Sequence, residues 1–300
     1  MARVFVLGSL NMDTTYYVNN LPCEGETIAA VSCESAVGGK GLNQAAAAAW
    51  TGVETAIIGA VGNDENGRQM VQTLERRHIH TQYLQQSRLP TGSAVILVDG
   101  SARNCIVVNG GANGDVCRAE ADLAAGDWIM SQLETPVETV HYYFERARQA
   151  GARTALNLSP YRPVPDALLA LTDVLIVNEH EASGLLQRRI SNPEDACNAA
   201  QALREKGIRR AVITLGEHGA VVIDGNTVHR IEGIKVKAVD TQGAGDAFSG
   251  VMIGHCCRGM SLPESAEAAN RVAGQCVGIT GSTIISLDAL GRAGERREGK

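Results

Sequence analysis

Short apolar segments of strand length alternate along this chain with alanine-rich segments of helix length, and no other feature constrains its fold so tightly. The strand-like runs lie at residues 3–7, 55–59, 94–98, 104–108, 154–157, 174–177, 211–215 and 220–223. Helix-length segments lie at 41–50, 67–77, 135–150, 193–206 and 244–257. Strands that are apolar throughout, rather than at every second residue, are buried on both faces. Strand alternating with helix then predicts an α/β fold, a central mostly parallel sheet between two helical layers. Two regions break the alternation: residues 14–37, and the hairpin pair 94–98 and 104–108 joined by Asp99-Gly100-Ser101. They predict a small separate β-sheet inserted in a single domain spanning residues 1–300, with the charged tail 292–300 frayed.

A chain of 300 residues is long enough for one large α/β core. With 44% hydrophobic and 20% charged residues it is neither disordered nor fibrous. A net charge of −6 argues against a nucleic-acid surface and for small-molecule partners. Eight cysteines without a C-x-x-C pair read as reduced thiols of a cytoplasmic protein. The apolar run Val4-Phe5-Val6-Leu7 is too short for a signal peptide or membrane span, so no membrane is expected.

Chemistry is concentrated in DTQGAGDAFSG, residues 240–250. A strand-like segment at 234–239 feeds a turn, and from Ala244 onward the residues suit a helix. The unpaired N–H groups of a first helical turn, with the positive end of the helix dipole, form an anion site. Glycine at 243 and 245 lets a phosphate approach the backbone. Asp246, inside that turn, is placed to accept a proton from a hydroxyl attacking phosphorus. Taken alone, Asp246 equally suits a carboxylate that merely favours the dipole. A second glycine cluster, Gly38-Gly39-Lys40-Gly41-Leu42-Asn43-Gln44-Ala45, also runs into a helix but lacks the spacing of a P-loop. Residues 4–13, VFVLGSLNMD, lack the G-x-G-x-x-G of a dinucleotide site, which weakens an NAD-dependent dehydrogenase reading.

Together, G-G-K-G-x-N-x-A with Gly52 and Gly62 after it, and D-T-x-G-A-G-D near the C-terminus, resemble the ribokinase-like carbohydrate kinases. The resemblance covers nearly the whole chain, including Gly8-Ser9-Leu10-Asn11-Met12-Asp13, Gly25-Glu26-Thr27, Gln132-Leu133-Glu134, Asn178-Glu179-His180-Glu181 and Thr214-Leu215-Gly216. It implies a three-layer α/β/α fold with a β lid built from about 14–37 and 94–108, through which two copies form a homodimer. It also implies transfer of the γ-phosphate of ATP to the primary hydroxyl of a small sugar, D-ribose first. Another sugar or a nucleoside (fructose, deoxyribose, adenosine) and a silent sugar-binding relative remain as alternatives.

The residue roles follow from the same resemblance. Asn11, Asp13, Gly39, Lys40, Asn43 and Glu134 would bind the sugar, with Asp246 as base and the amides of Gly243, Ala244 and Gly245 holding the phosphoryl group. Asn178 and Glu181 would organise hydrated Mg²⁺, Glu181 through water, although Glu181 also suits a helix-start carboxylate. ATP would contact Asn178, Thr214, Leu215, Gly216, Gly219, Gly245 and Asn270, the last of which equally suits a polar surface position. A monovalent cation, K⁺, would be held by Asp240 with main-chain oxygens of Gln242, Cys276, Ile279 and Gly281, and by Ser286. The sequence departs from the family at residues 280–286, where an extra residue precedes Ser286, and at Gln242, where Thr or an aliphatic residue is usual.

Overall fold

The computed structural model describes residues 1–101, 103–279 and 283–291. The chain opens with β1 (Val4–Leu7), β2 (Asn11–Val18) and β3 (Ser32–Gly38), followed by α1 (Lys40–Trp50) and β4 (Thr55–Gly62). Next come α2 (Glu65–Arg76), β5 (His80–Ser87), β6 (Gly92–Asp99), β7 (Asn104–Asn109) and β8 (Trp128–Ser131). The alternation then continues through α3 (Val137–Ala150), β9 (Arg153–Asn157), α4 (Asp166–Ala170), β10 (Val174–Asn178), α5 (Glu179–Leu186), α6 (Pro193–Asn198), α7 (Ala200–Glu205) and β11 (Arg210–Thr214). It ends with β12 (Ala220–Asp224), β13 (Thr227–Ile231), α8 (Ala244–Cys257), α9 (Leu262–Val277) and α10 (Thr283–Leu290).

Nine strands form the large sheet in the order β13-β12-β11-β10-β9-β8-β1-β4-β5. From β11 to β5 all neighbours are parallel, and only β12 and β13 run antiparallel. Alternate residues of each strand enter opposite cores. Val4 and Val6 pack with α1, α8 and α9, whereas Phe5 and Leu7 pack with α3, α4 and α7. This is the three-layer α/β/α arrangement that the apolar runs predict. Consecutive connections leave β1 in one direction and β8 in the other, so the strand order reverses between these two neighbours. Ligands of open parallel sheets bind at such a switch point, beyond the carboxyl ends of the strands.

Four strands form the second sheet, in the order β3-β2-β6-β7. It adjoins the switch point directly, because β2 follows β1 after Gly8-Ser9-Leu10 and β3 leads through Gly39 into α1. Its edge strand β7 is exposed along its length and carries Ile106, Val107 and Val108. Among the described residues no helix is long and apolar enough to cross a membrane, and all eight cysteines are free.

Two local expectations are corrected. Residues 234–239 are not a strand, because no neighbouring strand meets them; they lie along α9, where Ile234 packs on Gly274 and the Val239 amide donates to the Val277 carbonyl (2.9 Å). The segment 193–206 is two short helices that meet at Ala199 rather than one. The charged tail 292–300 lies outside the described residues.

Helices α1 and α8 cross at unusually close range. A Cβ added at Gly250 would stand 2.3 Å from the Gln44 carbonyl oxygen and 2.6 Å from the Ala47 Cβ. Replacing Gly250 with Ala should therefore force the helices apart and cost about 1–3 kcal/mol. Urea denaturation measures this directly, and an unchanged midpoint and slope would show that the crossing tolerates the methyl group.

Candidate active site

The parallel strands β1, β8, β9, β10 and β11 all end on one edge of the sheet, and each is followed there by polar residues. Ser9 follows β1, Gln132 and Glu134 follow β8, and Asn157, Asn178 and Thr214 end β9, β10 and β11. The N-termini of α1 and α8 enter the same region. A cavity of about 150 Å³ is lined there by Lys40, Asn178, Glu181, Thr214, Gly243 and Asp246, among others.

Asp246 is the third residue of α8 and only 6% exposed. Its Oδ1 accepts from Gln44 Nε2 (3.0 Å) and its Oδ2 from Asn43 Nδ2 (3.2 Å), both donors on α1. Burial raises the carboxyl's proton affinity above the ordinary range; the Lys40 ammonium and the two amides pull in the opposite direction. Gly243 caps the helix in the left-handed region (φ 71°), and its carbonyl accepts from Thr283 Oγ1 (3.0 Å) at the start of α10. A Cβ at Gly245 would meet no protein atom within 4 Å. Packing therefore leaves the space over Gly245 open, as an anion cradle requires, whereas Thr283 fills the space beside Gly243 and the Ala244 amide donates to the Thr241 carbonyl (3.4 Å).

The residues expected at a sugar converge on the lid side of this cavity. Asn11 is buried, and its Oδ1 accepts from Asn113 Nδ2 (2.7 Å), which aims the Asn11 amide N–H groups elsewhere. Asn113 also spans the Leu10 amide and carbonyl (2.9 and 3.2 Å), so its own orientation is fixed. Asp13 lies beside Gly38; burial first, then the fields of Glu134 and Asp246, push its carboxyl up to about 6. Glu134 Oε2 accepts from the Ser9 hydroxyl and from the Lys40 amide (3.3 Å). The Lys40 side chain faces Asp246, Glu134 and Glu181, and the Asp246 charge chiefly raises its proton affinity. Gly39 caps α1, its carbonyl accepting from the Asn43 amide (3.0 Å). Asn43 Oδ1 is buried and has no hydrogen-bond partner among the described residues.

Asn178 and Glu181 form a capping box on α5, with Asn178 Oδ1 accepting from the Glu181 amide (2.8 Å) and Glu181 Oε2 from the Asn178 amide (2.8 Å). Both alternatives for Glu181 therefore meet in one residue. It caps a helix and still lines the cavity, with Oε1 outside the capping box. One such oxygen, with no cluster of three acidic, cysteine or histidine ligands among the described residues, suits Mg²⁺ that keeps its waters. From Thr214 the chain turns through Leu215 and Gly216 to Gly219, where the Leu215 amide donates to the Gly219 carbonyl (2.8 Å). Gly219 packs against Ile231 and Glu232, and Asn270 Nδ2 donates to the Glu232 carbonyl (2.9 Å), which sets Asn270 near this turn.

Of the residues expected around a monovalent cation, Asp240, Gln242, Cys276 and Ile279 lie near one another. The Val277 carbonyl accepts from the amides of Val239 and Asp240 (2.9 and 3.1 Å), which sets the 240–242 turn against the end of α9 at Cys276 and Ile279. Asp240 Oδ1 accepts from the Gln242 amide (2.9 Å), and the Cys276 carbonyl from the Ile279 amide (3.0 Å). This oxygen-rich turn fits a cation that takes main-chain ligands. Ser286 is buried in α10, and Gly281 lies outside the described residues.

Sequence reasoning assigned no role to Ser9, Gln44, Asn113, Gln132, Asn157 or Thr283. Gln44 inside an alanine tract and Asn157 at the end of an apolar strand carry the one usable signal, a polar side chain where the pattern demands an apolar one.

If Asp13 accepts hydroxyl protons as a carboxylate, protonation removes an acceptor as pH falls through about 6. The sugar KM should therefore rise below that pH in the native enzyme. The same profile for Asp13→Asn should start high and stay flat; an unchanged slope in that variant would assign the pH dependence to another group.

Residues 1–289 match the model for the pfkB family carbohydrate kinases. The chain is 37% identical over 251 residues to ribokinase of Haemophilus influenzae, covering 82% of each protein. It is 33% identical over 254 residues to deoxyribokinase of Salmonella typhi, covering 82% of this chain and 83% of that one. The solved structure of Arabidopsis thaliana ribokinase complexed with ribose and ATP matches with a TM-score of 0.88 at 29% identity, over 97% of this chain and 99% of that one. With a family match over nearly its whole length and relatives above 30% identity across most of it, the chain belongs to the pfkB family of carbohydrate kinases.

Proposed function

We propose that this kinase transfers the γ-phosphate of ATP to the primary hydroxyl of a small sugar, D-ribose at O5. One observation carries the reading: a buried carboxylate, Asp246, shares a cavity with Gly245, over which the space is open, and with the Lys40 ammonium. A base for the acceptor hydroxyl and a cradle for the migrating phosphoryl group are what an in-line displacement needs. Asp246 takes the hydroxyl proton as the oxygen attacks phosphorus, and the amides with Lys40 stabilise charge on the transferring group.

Asn11, Asp13, Gly39, Lys40, Asn43 and Glu134 hold the sugar. The unpartnered Asn43 Oδ1 supports this assignment, since a buried acceptor left unmet costs about 1–3 kcal/mol and a sugar hydroxyl supplies the missing donor. ATP lies along Asn178, Thr214, Leu215, Gly216, Gly219 and Asn270, with its terminal phosphate at Gly245. Mg²⁺, when bound through water to Glu181 beside Asn178, neutralises phosphate oxygens. K⁺, when bound by Asp240 and the main-chain oxygens of Gln242, Cys276 and Ile279, with Gly281 and Ser286 as further candidates, stiffens the loop that presents the amides.

The four-stranded sheet is the lid of a single domain over residues 1–300, with β2 bringing Asp13 to the sugar and closure excluding water as a competing acceptor. Its edge strand β7, with Ile106, Val107 and Val108 exposed, suits a homodimer contact with the same strand of a second copy.

The Salmonella typhi relative's name supports a second reading, with deoxyribose as acceptor. Replacing Asp246 with Asn should lower kcat at least about 10³-fold while the sugar Kd changes little. Rates near those of the native enzyme would remove the base from the mechanism. ADP release measured with ribose, deoxyribose, fructose and adenosine should give the highest kcat/KM for ribose. A preference of tenfold or more for deoxyribose would favour the second reading, and for fructose or adenosine would overturn both.

A further inference from the structure

We propose that Gln44 is a positioning residue that fixes the orientation of the Asp246 carboxylate through its hydrogen bond to Oδ1. The inference rests on the reading of Asp246 as the base. Gln44 is fully buried in the middle of α1, the one large polar side chain in the stretch Gln44-Ala45-Ala46-Ala47-Ala48-Ala49. All three of its hydrogen-bonding contacts are to other buried amides or to Asp246. Gln132 Nε2 donates to Gln44 Oε1 (2.8 Å), and Gln44 Nε2 donates both to Asn157 Oδ1 (3.1 Å) and to Asp246 Oδ1 (3.0 Å).

An amide can be turned end for end, so the direction of this chain needs an anchor that cannot turn. The main-chain carbonyl of Ile176 in β10 is that anchor: it can only accept, and it receives Asn157 Nδ2 (3.2 Å). Asn157 therefore faces Gln44 with its oxygen, and Gln44 must answer with its N–H groups. One of those N–H groups goes to Asn157 and the other to Asp246 Oδ1. Gln132, donating to Gln44 Oε1 from the far side, is compatible with the same direction. A strand carbonyl thus dictates, through two side-chain amides, that Asp246 Oδ1 is held by a donor.

Two consequences follow for the reaction. With Oδ1 held by Gln44 and Oδ2 by Asn43, the plane of the carboxylate is set by α1 before the acceptor hydroxyl arrives. The donor also favours the ionised carboxylate, against the burial that opposes it. Lys40 from α1 acts in the same sense, while Glu134 from the loop after β8 and Asp13 from the lid strand β2 act in the opposite one.

Gln44→Met, which keeps length and removes the donor, should lower kcat about 10- to 100-fold, the scale of one lost hydrogen bond to a charged group. The KM values for sugar and ATP should stay within about threefold, because Gln44 reaches the site only through Asp246. The acid limb of the kcat–pH profile should move to higher pH. Gln132→Met, one amide further away, should move the same limb in the same direction by less, and it serves as the readout if Gln44→Met does not fold by circular dichroism. Folded variants with native kcat and an unmoved acid limb, whatever their thermal midpoint, would overturn the proposal. Asp246→Asn, run alongside, separates the two ideas. If Asp246→Asn stays active, the base assignment itself fails; if it is dead while Gln44→Met and Gln132→Met behave as the native enzyme, the role of Gln44 alone fails.

Discussion

A carboxylate taken almost completely out of water stays ionised only if donors replace the water it lost. Asp246 obtains its donors from a different helix, and that requirement runs through the whole design. Asn43 and Gln44 reach it because α1 and α8 cross closely, and they cross closely because Gly250 faces a run of alanines. The composition of α1 is thus a consequence of the site. Larger side chains at Ala47 or Ala48 would lift α1 from α8 and carry both donors out of range.

The sheet supplies the second constraint. Parallel strands deliver their carboxyl ends to one edge, where backbone groups and polar side chains no longer compete with a core. The reversal between β1 and β8 opens that edge between the chain after Leu7 and the chain after Ser131. Ser9 and Glu134, far apart in sequence, become hydrogen-bonded neighbours across the opening. The small sheet grows out of the same place, so that β2 and β3 carry Asp13 and lead into Gly39 at the edge of the core.

What could be read in advance divides along physical lines. Apolar runs at 3–7, 55–59, 174–177 and 211–215 announce strands because both of their faces are buried. The two glycine motifs announce helix starts because a first turn with a close ligand tolerates little else. Three edge elements give weak patterns: β5 reads as polar HTQYLQQS, β13 as THR-like polar TVHRI, and residues 234–239 alternate like a strand but have no neighbour to pair with. Helix α9 was not read in advance, although its capping box of Ser261 and Glu264 matches the sequence rule for a helix start. Site residues found in advance are those within local motifs. Asn113, Gln132, Asn157 and Thr283 act through partners more than 15 residues distant in the chain, and only the topology brings those partners together.

The balance of charge bears on the acceptor's chemistry. Asp13, Glu134, Glu181 and Asp246 surround a single ammonium, Lys40, and the carboxyls of Asp13, Glu181 and Asp246 are all pushed toward protonation by burial. Such a group of acceptors asks its ligand for hydroxyl protons and repels a second anion on the lid side. A neutral polyol satisfies both demands at once: each hydroxyl donated to a carboxylate offsets part of its desolvation, and no like charge is brought near Asp13 or Glu134. A phosphorylated acceptor would place its anion among those carboxylates, where the described residues lining the cavity offer no cation besides Lys40. In the mechanism proposed above, the start of α8 holds the phosphoryl group of the donor. The electrostatics therefore favour an unphosphorylated sugar as the molecule that receives the phosphoryl group, with the nucleotide as the one anion the site is built to admit.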